Sequence, residues 1–83
     1  KSASFVGANL AGVDLSGRDL TMVRFRDADL RRANLTGCEL AMADLSHADL
    51  SGADLSRVSA KSAALTGARI EGIVLRGARL QCD

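Results

Sequence analysis

The sequence predicts an all-β solenoid, and three columns of residues repeating every five positions predict it. All twelve leucines fall in one column at a spacing of five. Small apolar residues fill a second column two positions earlier, and all eight glycines fall two positions after the large apolar residue. No other regular backbone buries every fifth residue. In an α-helix each step of five advances ~140° past a full circle, so the leucines would wind onto every side. In a flat strand the step is odd, and successive leucines would alternate faces. Heptad packing fails on the same arithmetic. A chain that turns a corner in every quintet, always the same way, points every large apolar residue at a common axis.

Taken in order, the large column is Phe5, Leu10, Leu15, Leu20, Phe25, Leu30, Leu35, Leu40, Leu45, Leu50, Leu55, Ala60, Leu65, Ile70, Leu75 and Leu80. This is the expected core ladder. The small column runs from Ala3 to Ala78 and shares its parity, so both columns face inward within a short extended step. Arg18 is its one charged member. Glycine after the large residue marks the corner, where it takes turn dihedrals at little steric cost. Asp or Asn between the two apolar columns, as at Asp29 and Asp49, is expected to face water. The pattern covers residues 3–82 without a linker, so 1–83 reads as a single domain and as a segment of a longer protein.

The quintet A-(D/N)-L-(S/T/R)-G, seen as Ala33, Asn34, Leu35, Thr36, Gly37, or with an arginine corner as Ala53, Asp54, Leu55, Ser56, Arg57, resembles the pentapeptide-repeat family. The resemblance implies a right-handed quadrilateral parallel β-helix with four quintets per coil. Sixteen quintets would make four coils, roughly 19 Å long at ~4.8 Å per strand. Residue n should then lie next to n+20, stacking Phe5 on Phe25 and Met22 on Met42. The fourth stack, Leu20, Leu40, Ala60 and Leu80, is short of volume at Ala60, which predicts a void or a contraction of that side. Leu35→Asp should cost several kcal/mol, and Asp54→Ala little.

Composition narrows the function. A net charge of +1, from 11 basic and 10 acidic residues, lacks the basic excess of a nucleic-acid binder. No apolar run approaches the ~20 residues of a membrane span. Free thiols and no visible leader favour the cytoplasm. His47 stands at an outward corner with no cleft around it, so no catalytic residue is expected. Inward Cys38, Cys82 at the last corner and outward His47 cannot converge on a metal, nor do the two thiols suit a disulfide. No metal site and no cofactor follow.

Arg24, Arg26, Arg31 and Arg32 crowd the second coil, but Asp27 and Asp29 interleave with them, and Arg24 should pair with Asp44 and Asp49 with Arg69 across coils. Arg18, Met22 and Met42 remain as candidate protein contacts: a charge at the docking end, and an exposed apolar strip. The expected function is a rigid scaffold or spacer that engages protein partners through its walls or ends, with self-association through uncapped ends. The alternative comes from the resemblance: some pentapeptide-repeat proteins mimic DNA and bind DNA gyrase. Residues 14–54 carry eight acidic and five basic side chains, but Asp44, Asp49 and Asp54 should fall on different sides.

Overall fold

A computed structural model describes residues 3–81. The backbone follows one rule throughout: residue n pairs in parallel with residue n+20. Single-residue bridges join Ser4 to Arg24, Asn9 to Asp29, Asp14 to Asn34 and Asp19 to Glu39, and the same four columns continue up the molecule. A period of twenty divided into quintets gives four walls per coil. Pairing widens into a short ladder in one place, where β1 (Ser59–Lys61) pairs with β2 (Arg79–Gln81).

Within each quintet the hydrogen bonds explain the shape. Leu30 N–H donates to Asp49 O of the next coil at 2.8 Å, and Arg32 N–H to Ser51 O at 2.9 Å. Asp49 N–H donates back to Ala28 O at 3.0 Å, while Ala33 N–H closes the corner on Leu30 O at 3.0 Å. The corner residue has positive φ at every glycine, +71° at Gly52 for example. Seven other corner residues, from Met22 to Ser62, adopt the same left-handed conformation. None is β-branched, as the crowding at positive φ requires.

The interior is an apolar stack. Phe25, Leu30, Leu35, Leu40, Leu45, Leu50 and Ala60 are buried, with Ala28, Ala33, Ala48 and Ala53 between them. Burying each large side chain contributes roughly 1.5–3 kcal/mol. The rings of Phe5 and Phe25 stack with centroids 5.6 Å apart and planes 15° apart, one coil from each other. Burial fades at both ends: Phe5 is 37% exposed, Ile70 52%, Leu75 38% and Leu80 41%. Leu10, Leu15 and Leu65 pack against the core but remain half-buried. The body spans 27 × 25 × 22 Å, a squat prism rather than a rod.

Candidate functional site

Since the apolar columns point inward, any recognition surface is built from the outward positions of four walls and from the two ends. The position before the large apolar residue serves the backbone as well as the solvent. Asp49 Oδ1 accepts from Ser51 N–H at 3.0 Å, and Asp14, Asp44 and Asp54 accept in the same way from Ser16, Ser46 and Ser56. Asn34 does the same with an amide oxygen, accepting from Thr36 N–H at 3.1 Å and from its hydroxyl at 2.8 Å. Each is an Asx turn that satisfies an amide the coil ladder leaves over. The sequence reading missed this role, although an Asp or Asn followed two places later by Ser or Thr signals it.

These turns set the electrostatics. The Ser51 hydroxyl and then its amide hold the Asp49 carboxyl below the usual carboxylate value, with Arg69 and Arg31 adding to the effect. For Asp44 the Ser46 hydroxyl leads, then the Ser46 amide, with Arg26 and Arg24 contributing. Arg24 and Asp44 occupy paired positions, as do Asp49 and Arg69. The expected direct pairing between coils does not occur among the described residues. Their ion pair forms within a coil instead, Arg31 to Asp29 at 2.8 Å, because the two side chains leave the same wall two residues apart. That pair occupies one arginine of the cluster at Arg24, Arg26, Arg31 and Arg32.

Arg18 is exposed on the first coil despite its place in the inward column. One coil later the same column holds Cys38, fully buried, whose thiol donates to Leu15 O at 3.0 Å. Burial pushes that thiol's pKa up, so it is a poor nucleophile. Met22 and Met42 are 50% and 55% exposed and follow one another up a single corner. His47 is exposed at another corner. Among the described residues no three metal-ligating side chains cluster. Cys82, and with it the readings of a metal site, a disulfide to Cys38 and a terminal thiol, lies outside the described residues. Among those residues no helix is long and apolar enough to cross a membrane.

Asp44, Asp49 and Asp54 stand on three successive walls of one coil, with bridge partners Arg24, Asp29 and Asn34 beneath them. Among the described residues these three carboxylates make no continuous acidic face.

Comparison with known proteins agrees with this geometry. The sequence pattern of pentapeptide repeats matches residues 8–41 and 38–77, with eight copies. Among solved structures, a pentapeptide repeat protein from the thylakoid lumen of Arabidopsis thaliana is 30% identical with a TM-score of 0.59, the match covering 89% of this chain and 62% of that one. HetL, a pentapeptide repeat protein involved in heterocyst differentiation regulation in the cyanobacterium Nostoc, is 34% identical with a TM-score of 0.62, covering 89% of this chain and 39% of that one. This chain therefore spans less than two thirds of either. No curated protein matches it.

Proposed function

This chain belongs to the pentapeptide-repeat family, with its right-handed quadrilateral β-helix, and we propose from that premise that it is a non-enzymatic scaffold engaging protein partners through its walls or ends. One observation carries the reading. Among the described residues an unbroken n/n+20 ladder on all four walls encloses an apolar core and leaves the outward side chains on a regular lattice. Such a lattice fixes the spacing of whatever binds it. The exposed Met22 and Met42 corner is the apolar strip best placed on a wall, and Arg18 marks an end.

The DNA-mimic reading has no such support, because the acidic side chains divide among the walls and arginines stand beside them. The test is affinity capture with the wild-type chain beside Met22→Ser/Met42→Ser and Arg18→Ala variants of unchanged circular dichroism. Loss of one captured protein in one variant supports the scaffold reading. Capture indifferent to every wall and end replacement would overturn it.

A further inference from the structure

Every corner of the solenoid turns at left-handed φ, and glycine recurs in three of the four corner columns, as at Gly7, Gly12 and Gly17. The fourth column holds Met22, Met42 and Ser62, at φ of 61°, 57° and 60°, and no glycine among the described residues. A side chain in that conformation strains the backbone where glycine would not. Both methionines are exposed, so burial in the core does not offset the strain. Strain kept at a surface position points to a use for the side chain.

The wall that runs into this corner, past Leu40 and Ala60, supplies charge. Met42 N–H donates to Lys61 O at 2.9 Å, so Lys61 stands one coil from the methionine. Arg79 pairs with Ser59 on the same wall. Two half-open depressions adjoin the wall and share Ser59 and Arg79; Lys61 lines one, Arg57 and Glu39 the other. Arg57 is engaged by Asp54, whose carboxyl it helps to hold down. Among the described residues Lys61 and Arg79 make no ion pair. Glu39 and Asp19 are the acids of this wall, one and two coils below Ser59. Across the corner Arg24 and Asp44 oppose one another in register. The surface is lateral, and a coil added above or below would lengthen it without covering it.

We infer that this wall docks an extended acidic segment of a partner protein, with an apolar side chain on Met22 and Met42 and carboxylates on Lys61 and Arg79. The inference rests on the scaffold reading and names the chemistry of its partner. At ~4.8 Å between coils and ~3.3 Å per residue, Lys61 lies about 6 Å from Met42, and Arg79 about 13 Å. Those steps match two and four residues of extended chain, whose alternate side chains share a face. The segment therefore carries an apolar residue, then an acidic one two places away and another four places away, in either chain direction. Glu39 and Asp19 repel a carboxylate lower on the wall and so keep the apolar part at the methionines. A lipid surface fits less well, because basic attachment takes about four or more cations together, and two acids share this wall.

A random peptide library displayed on phage and selected against the wild-type chain tests this. Enriched peptides should carry the alternating apolar and acidic pattern. The chain has two methionines, and titration with the synthetic peptides should shift the isotope-labelled methyl signals of both. Lys61→Glu and Met42→Ser, at unchanged circular dichroism, should each weaken binding at least tenfold. Met22→Gly/Met42→Gly relaxes the corner and should lose binding with no drop in melting temperature. Lys61→Glu/Arg79→Glu should select peptides with lysine or arginine at the acidic places instead. A library that enriches nothing, peptides without the pattern, or a glycine variant that binds as wild type does would overturn the proposal. Binding to mixed phosphatidylcholine and phosphatidylserine vesicles that Lys61→Glu abolishes, with no peptide enriched, would assign the wall to a membrane and overturn it too. Partner capture lost on replacing Arg18 or another wall, with both methionine signals unmoved, would remove this docking wall and leave the scaffold reading standing.

Discussion

The imidazole of His47 lies over Gly67, the residue one coil later in the same corner, and leaves no room there for a β-carbon. Both residues are left-handed, with φ of 60° and 70°. Alanine at Gly12 meets open space, so its penalty is the left-handed backbone alone, about 1–2 kcal/mol. Alanine at Gly67 carries that penalty and must also push the ring from its rotamer, a further ~1 kcal/mol. Urea unfolding should rank Gly67→Ala as the more damaging. His47→Ala should erase the difference in a double-mutant cycle. An unchanged difference would show that the ring does not fill the corner.

Leu35 and Asp54 test the inward and outward assignments together. Leu35 is fully buried, and Leu35→Asp places a carboxylate where nothing can pair with it, costing several kcal/mol. The sequence expectation that Asp54→Ala is nearly silent needs correction, because Asp54 Oδ1 accepts the Ser56 amide at 3.0 Å. Losing that bond should lower stability, by far less than a carboxylate in the core does. Thermal melts should place Asp54→Ala between wild type and Leu35→Asp. Equal melting temperatures for the two variants would refute the assignment.

Acid should loosen the coils through the same turns. The Ser16 amide, then its hydroxyl, holds the Asp14 carboxyl below its ordinary value; the Thr21 hydroxyl, then its amide, does so for Asp19, and Ser56 likewise for Asp54. A carboxyl depressed in the folded state is charged there while the unfolded chain still binds protons. Its stabilisation is complete above the unfolded pKa, near 3.9, and is lost as pH falls through the folded value. The melting temperature should therefore be level from about pH 7 to 5 and fall below about pH 4. Asn34 shows that an amide oxygen makes the same turn. Replacing Asp14, Asp19, Asp49 and Asp54 together by Asn should flatten the acid limb, and an equally steep limb would place its origin elsewhere.

Most of the fold was legible because it depends on period alone. A fifth-residue column needs no knowledge of side-chain geometry to specify an axis, and the pairing of Phe5 with Phe25 follows once four quintets make a coil. The surface was less legible, because outward positions are chosen by hydrogen bonds that periodicity does not reveal. Asp49 read as a solvated carboxylate, yet it accepts a hydrogen bond from the Ser51 amide. Arg24 and Asp44 did come into register, but a neighbour two residues away captured Arg31 instead of a charge on another coil. The left-handed corners at Arg32 and Arg57 were hidden because only the glycine columns advertise positive φ.

Ala60 gives the sharpest test of packing. It stands where Leu20, Leu40 and Leu80 stand in the same stack, three carbons short, yet it is 1% exposed and paired with Leu80 in the β1–β2 ladder. Two half-open depressions of about 430 and 410 Å³ adjoin this wall, one lined by residues that include Ser59, Arg79 and Leu80, the other by residues that include Glu39, Arg57 and Val58. Contraction toward the axis would close the space beside Ala60 without leaving a void, and it is the outcome we expect. A contracted wall has no space for the missing carbons, so Ala60→Leu should destabilise by about 1–3 kcal/mol through overpacking, and Ala60→Val by less. Were the volume instead empty and enclosed, the same leucine would fill it and raise the melting temperature. The sign of the change in urea unfolding decides between them, and we expect a loss.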